Sequence, residues 1–336
     1  MSNSILITGV AGHIGSRFSN WVINNHPDYK IVGIDSLLCG YEENVNKNIE
    51  FYKKDLSKSN IHEIFAKHKF KYVFHFAAYA AEGVSPFLRK FVLSNNVLST
   101  ANILNECINF GVKRLVFTSS MSVYGRGVET GRRFCEDDVP TPLDPYAISK
   151  YTSELDIHSA GMQHGLDWCI LRPHNIYGPG QNIWDRYRNV FGIWMYQVIN
   201  NKPISIFGDG SQTRAFSYID DCMSCMWNAA VSIAASKQII NIGGKKEYSI
   251  YEAANLFMNI TGYTMVAHLE PRFEVHWSVP SWEKSVKILS YQDITPIDDG
   301  LKLMWEWAKK QPTRERKTWT KFEVEKGLYE YWKRQL

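Results

Sequence analysis

The 336-residue chain has no apolar run of the roughly 18–20 residues that a membrane-crossing helix needs. Its start, MSNSILITGV, lacks the basic segment and cleavage site of a secretory leader, so a cytoplasmic protein without membrane contact is expected. Its 38 basic and 34 acidic residues leave a formal net charge of +4, and neither sign gathers into blocks, which disfavours nucleic acid as a partner. Six cysteines (Cys39, Cys107, Cys135, Cys169, Cys222, Cys225) are too few for a disulfide framework. Cys222 and Cys225 form a CxxC with no second Cys/His pair beside it, so helix packing is favoured over zinc or redox chemistry. Low-complexity tracts and repeats of 20–50 residues are also missing. What remains is a chain long enough for one or two globular domains with a large core.

The sequence does have a rhythm. Short β-rich apolar runs alternate with helical patterns: ILIT, a helix over 12–25, KIVGID, a helix near 60–68, KYVFHFAA, a helix near 86–110, and KRLVFTSS. Such alternation predicts βαβ units on a parallel sheet. Asp144 before Pro145 supplies an N-cap and an N1 proline, so a helix is predicted from there to about Gly161. After LDWCILRP the pattern loosens into loops rich in Gly, Pro and Asn. The expectation is an α/β fold: a doubly wound, Rossmann-type parallel sheet over 1–172, completed by later segments at 204–207 and 238–242. A smaller, mixed α/β substrate lobe with a helical tail is expected over 173–336. Six tryptophans, Trp277, Trp282, Trp305, Trp307, Trp319 and Trp332, are expected to pack the C-terminal helices onto the body.

Residues 5–15 read ILITGVAGHIG, which sets Gly9, Gly12 and Gly15 in GxxGxxG spacing between a predicted strand and a predicted helix. Without Cβ atoms the backbone can approach a pyrophosphate, and the helix N-terminus offers free N–H groups to an anion. The second strand ends in Asp35, where a carboxylate accepts hydrogen bonds from an adenosine ribose. That acid repels a 2′-phosphate, and Ser36 and Leu37 follow it in place of an arginine, so NAD is expected over NADP. Asp55, after a third strand, is placed either at the adenine edge or as a cap on the next helix.

Tyr146 and Lys150 lie four residues apart just inside the helix predicted from Asp144, hence on one face. A phenol ionises near pH 10, so its use as a base at neutral pH requires a depression of about 3 units, or about 4 kcal/mol. An ammonium close by and an oxidised nicotinamide would supply that through charge. YxxxK alone is common on helix surfaces. Ser119 and Ser120, however, end the strand KRLVFTSS at the carboxyl edge where open α/β sheets bind ligands. A hydroxyl there can hydrogen-bond the substrate oxygen that Tyr146 deprotonates, which fixes the C–H bond against the nicotinamide.

Taken together, TGVAGHIG, VFHFAA, SNNV, FTSSMSVYG, YAISK, LRPHNIYGPG and IFGDGSQTRAFSYIDD give nearly the whole chain a resemblance to one family. It resembles the extended short-chain dehydrogenase/reductases, specifically their NAD-dependent nucleotide-sugar epimerases of the UDP-galactose 4-epimerase type. The resemblance implies NAD contacts at Gly9, Gly12, His13, Ile14, Gly15, Asp35, Asp55, Leu56, Phe76, Ala77, Ala78, Asn96, Tyr146, Lys150 and Pro173. It implies a catalytic triad of Ser120, Tyr146 and Lys150, and no metal. For a nucleotide sugar, UDP-linked in the family's best-known members, it implies contacts at Ser120, Tyr146, Asn175, Asn189, Phe207 against the base, Arg214 on the diphosphate, and Arg272. A guanidinium fork suits phosphate oxygens better than a lysine does. A homodimer through the helices at 86–110 and 144–161 is implied as well.

Departures from the family pattern narrow the reaction. Sugar-nucleotide 4,6-dehydratases carry Asp-Glu after the catalytic hydroxyl, and Met121-Ser122 stands here. A 3,5-epimerase uses a cysteine at the position of Ser122, and serine does not readily abstract a carbon-bound proton. Inversion at C4 through a 4-keto sugar is therefore expected. The alternatives are another nucleotide-sugar oxidoreductase or a catalytically silent NAD-binding scaffold. Ala80 replaces a lysine of the family, and a gapless match puts Ser278 at a gatekeeper position, where a small residue leaves room for a 2-N-acetyl group. The segment after about residue 310 extends past the usual end of these enzymes, and is expected to be an amphipathic helix on the body or on a partner subunit.

Overall fold

Parallel strands covered on both faces read as unbroken apolar runs whose side chains alternate between two cores. In β1 (Ser4–Thr8), Ile5 and Ile7 enter one cluster with Phe18 and Trp227, while Leu6 enters the other with Phe65 and Ile157. The computed structural model describes residues 3–126 and 131–333. The remaining strands are β2 (Lys30–Asp35), β3 (Glu50–Lys53), β4 (Tyr72–His75), β5 (Arg114–Thr118), β6 (Trp168–Pro173), β7 (Ile176–Tyr177) and β8 (Ile204–Phe207). They continue with β9 (Thr213–Ala215), β10 (Ser217–Tyr218), β11 (Gln238–Ile242), β12 (Glu247–Ser249), β13 (Val266–Leu269) and β14 (Trp277–Ser278). The helices are α1 (His13–Asn25), α2 (His62–His68), α3 (Arg89–Leu93), α4 (Ser99–Asn109), α5 (Pro145–His164) and α6 (Val190–Ile199). They are followed by α7 (Met223–Val231), α8 (Ile250–Thr261), α9 (Glu283–Leu289), α10 (Ile297–Ala308) and α11 (Glu330–Lys333).

Seven parallel strands form the main sheet in the order β11-β6-β5-β4-β1-β2-β3. Helices α1 and α7 cover one face, and α2, α4 and α5 the other. The strand order reverses between β1 and β4, so the chain leaves their carboxyl ends in opposite directions and opens a crevice there. Thr8 and His75 sit side by side at that point, Oγ1 to Nδ1 at 2.7 Å. Segment 238–242 joins the sheet beside β6. Segment 204–207 does not: β8 pairs with β13 in the C-terminal lobe. Its Ile204 and Ile206 pack with Trp194 of α6 and Phe257 of α8, and the Trp194 indole donates to the Ser205 carbonyl at 2.8 Å.

Two helices differ from their sequence patterns in ways that shape the crevice. α5 starts as expected, with the Asp144 carboxylate accepting from the Tyr146 and Ala147 amides at 2.9 and 3.0 Å. It runs past Gly161 to His164, because Gly161 is a packing glycine: a Cβ there would lie 2.5 Å from the Trp168 Nε1. The stop is Gly165, in the left-handed conformation. The pattern over 86–110 divides at Leu88 into a short turn, Ser85–Phe87, and a helix made of α3 and α4 joined by a π-turn at Ser94–Leu98, which turns Asn96 inward. Cys222 and Cys225 are buried under the sheet, their thiols against backbone carbonyls.

The segment after α10 is an irregular strap with a single helical turn, α11, in place of the expected amphipathic helix. Its aromatic residues are not spaced for one helical face; Trp319, Phe322, Tyr329 and Trp332 instead plug a cluster formed by Tyr79, Phe87 and Tyr187. The Glu323 carboxylate accepts from the Lys90 and Phe91 amides at 2.7 and 2.9 Å, and so caps α3.

Beside the crevice, Arg172 of β6 and Glu154 of α5 form a bidentate pair at 2.9 and 2.6 Å with side chains only 2% and 3% exposed. Removing one partner strands a buried charge. Glu154→Ala is expected to cost about 3–5 kcal/mol, and Glu154→Leu with Arg172→Met to restore most of it. Thermal unfolding of the three proteins measures both effects.

Candidate active site

A cavity of about 730 Å³, within the range of small-molecule sites, follows the crevice from the end of β1 into the C-terminal lobe. At one end stands a backbone cradle. Gly9 has φ +70°, and a Cβ on it would meet the Ala77 amide nitrogen at 2.8 Å; one on Gly15 would meet the Gly9 carbonyl oxygen at 2.2 Å. The N-terminus of α1 has no side-chain cap, so its N–H groups and partial positive charge face the crevice together with Gly12, His13 and Ile14. Burial pushes the His13 imidazole down to about 4, and its Nε2 is buried with no hydrogen-bond partner among the described residues. These features fit a pyrophosphate.

Asp35 ends β2 with its two oxygens accepting from the Ala11 and Leu37 amides at 3.0 and 2.8 Å, which leaves further lone pairs for ribose hydroxyls. Asp55, Leu56, Phe76, Ala77, Ala78 and Pro173 also line the cavity. Asp55 accepts from Ser57 at 2.9 and 2.6 Å, and Phe76 turns its ring into the core against Phe18. Asn96 is placed differently from the rest. It is buried behind the wall, accepting from the Tyr79 amide at 2.8 Å and donating to Ser149 at 2.9 Å, while Asn95 and Ser99 line the crevice.

Ser120, Tyr146 and Lys150 all line the cavity. Burial holds the Tyr146 phenol well above its ordinary value; a hydrogen bond from Ser120 opposes the rise, and the charges of Glu82 and Asp144 add to it. The Ser120 hydroxyl accepts in turn from the Ser122 hydroxyl at 2.9 Å. The Lys150 ammonium is engaged elsewhere than expected: its Nζ donates to the Thr118 carbonyl at 2.6 Å, and burial brings it down to about 7. Among the described residues this is the hydrogen bond the Lys150 ammonium makes, and none runs from it to the Tyr146 phenol. Lys150 pins the end of β5 that carries Ser119 and Ser120.

The far end carries charge. Arg214 and Arg272 share a single carboxylate, Glu274, at 2.9 and 3.5 Å, which leaves surplus positive charge for phosphates. The Arg272 guanidinium lies over the Phe207 ring at 4.0 Å, and Tyr331 of the strap meets that ring edge-on at 5.9 Å. Asn175 donates to the Ala215 carbonyl and Asn189 caps α6; both line the cavity. Ser278 is not at the wall: it pairs with Arg214 in the β9–β14 register and faces His174. Sequence reasoning missed Glu82, Glu274, Arg188 and the strap residues Tyr329 and Tyr331, all of which line the crevice. The dense aromatics after residue 318 were the one available signal for the last two.

Residues 5–243 match the model of the NAD dependent epimerase/dehydratase family. This chain belongs to that family. It is 32% identical over 326 residues to a UDP-glucuronate 4-epimerase of Thermodesulfobacterium geofontis, covering 90% of this chain and 95% of the relative. The fold superimposes with a TM-score of 0.87 on a UDP-glucose 4-epimerase of Thermotoga maritima solved with UDP-glucose, at 30% identity, covering 91% and 99% of the two chains. A UDP-glucuronic acid 4-epimerase of Bacillus cereus, solved with UDP-glucuronic acid and NAD, gives 0.83 at 28% identity, covering 91% and 99%. NAD is thus the family's cofactor, and the cradle around Gly9, Gly15 and Asp35 is the part of this chain that fits it.

Lys150 makes the free protein's stability depend on pH. An unfolded lysine keeps its proton up to about 10.5, whereas the buried one loses it near 7. Between those values the unfolded chain binds the extra proton, so stability rises with pH and is lost again as pH falls through 7. From pH 7 to 9 this residue is expected to add up to about 1.4 kcal/mol per pH unit. Lys150→Met is expected to flatten the rise, measured by urea unfolding at pH 7, 8 and 9.

Proposed function

We propose that this chain inverts C4 of a UDP-hexose or UDP-N-acetylhexosamine through transient oxidation to the 4-keto sugar. The observation that carries this function is the meeting of the Tyr146 phenol and Ser120 hydroxyl between a dinucleotide cradle and an arginine pair with charge to spare. NAD, when bound, supplies the hydride acceptor and a positive charge beside the phenol. Ser120 orients the C4 oxygen, and Tyr146 takes its proton as the alcohol is oxidised and returns it on reduction. Arg214 and Arg272 hold the diphosphate, so the keto sugar can turn over without leaving. Elimination needs a paired acid and base next to Ser120; Met121 there is buried and Ser122 is bonded to Ser120, which favours epimerisation over dehydration.

A homodimer in the cytoplasm is part of the same proposal. Ile148, Leu155 and Met162 recur every seven residues on α5 and stand exposed, with Leu98 half-exposed on the neighbouring helix. Six free cysteines, four of them buried, suit a reducing compartment.

Incubation with UDP-glucose or UDP-N-acetylglucosamine deuterated at C4 is expected to yield the C4 epimer with the label retained and no added cofactor consumed. NMR checks this, and label moved to C6 of a deoxy-keto sugar would show dehydration instead. Tyr146→Phe is expected to lower turnover by about 10²–10⁴-fold while NAD content stays unchanged. Light scattering is expected to show a dimer that Leu155→Glu with Met162→Glu converts to monomer.

A further inference from the structure

Of the carboxylates near Tyr146 and the arginine pair, Asp144 is committed to the N-terminus of α5 and Glu274 to Arg214 and Arg272. Glu82 is committed to nothing. It lines the crevice, and among the described residues its carboxylate makes no hydrogen bond or ion pair. Its charge bears on the Tyr146 phenol, and the charges of Arg214 and Arg272 bear on it. Its backbone is fixed: its carbonyl accepts from the Ser85 hydroxyl at 2.8 Å, and the next residue, Gly83, lies so close under Arg272 that a Cβ would come within 3.1 Å of Nη1. Water reaches the side chain from the crevice, yet the protein packed around it pushes the carboxyl up to about 7, with Asp144 adding to the rise and Arg214 opposing it.

Resting on the nucleotide-sugar function above, we propose that Glu82 is a specificity-determining residue that reserves the site for uncharged sugars and turns away sugars carrying a carboxylate. A neutral hexose offers hydroxyl protons to this acceptor, in a charge-assisted hydrogen bond. Above about pH 7, where Glu82 is ionised, a uronate brings a second negative charge beside it, in a site where the diphosphate already takes the surplus of Arg214 and Arg272. The other guanidiniums at the wall are closed off. Arg188 is held by Asp185 at 2.9 Å and by the Ala80 carbonyl at 2.6 Å, and Arg186 donates to the Tyr331 carbonyl. Similarity does not choose between these sugars, since relatives named for UDP-glucuronate and for UDP-glucose match this chain about equally. An introduced repulsion does choose.

The test is calorimetric titration, at a pH well above 7 so that Glu82 is ionised, of the NAD-loaded Tyr146→Phe protein with UDP-glucose, UDP-N-acetylglucosamine and UDP-glucuronate. UDP-glucuronate is expected to bind at least about tenfold more weakly than the neutral pair. Adding the isosteric Glu82→Gln is expected to shrink that gap to about threefold or less, through tighter binding of the uronate. Equal affinities in the parent, or a gap that Glu82→Gln leaves unchanged, overturns the role of Glu82 and leaves the epimerase function standing. Binding without C4 inversion by the wild-type protein defeats the epimerase function and leaves Glu82 to be judged on the gap alone. Failure of all three nucleotides to bind overturns both.

Discussion

The Asp144 carboxylate is the junction on which the reactive part of the molecule depends. One oxygen accepts from two amides in the first turn of α5 and from the Ser85 hydroxyl at 2.9 Å. That turn sets where Tyr146 and, one turn on, Lys150 enter the crevice. Through Ser85, whose single hydroxyl proton lies between Asp144 and the Glu82 carbonyl, the loop after β4 is tied to the same point. The turn that carries Tyr146 and the loop that carries Glu82 are therefore positioned by one anion, itself held in place by three donors, two amides and one hydroxyl.

Charge is divided along the crevice. The cradle at the end of β1 offers backbone N–H groups and a helix terminus. The opposite end offers two guanidiniums for one carboxylate. Between them burial raises the Tyr146 phenol and brings the Lys150 ammonium down to about 7.

Much of this was readable in the sequence because its determinants are local. The alternating apolar runs, the GxxGxxG turn, Asp35 at a strand end, and Tyr146 with Lys150 inside a capped helix all depend on neighbours within a few residues. What escaped was set by distant partners. The pairing of β8 with β13 joins segments some sixty residues apart, and nothing in ISIF separates a main-sheet strand from a lobe strand. The π-turn that buries Asn96 has no residue signature, and the acceptor of Lys150 is a backbone carbonyl, which a sequence never advertises. Glu82 belongs to none of the sequence motifs, and its relation to Asp144 and the arginines is set by the fold.

The strap gives the crevice an uneven order of assembly. The cradle and the acid–base group are built mainly by residues 9–150, whereas Tyr329 and Tyr331 complete the far wall. Glu323 reaches α3 across 233 positions of chain, and Arg314 reaches Glu43 across 271. Closing loops of that length is entropically costly and slow compared with forming adjacent βαβ units. A dinucleotide-binding half can thus organise, and gain stability from its ligand, before the second substrate has a finished place to bind.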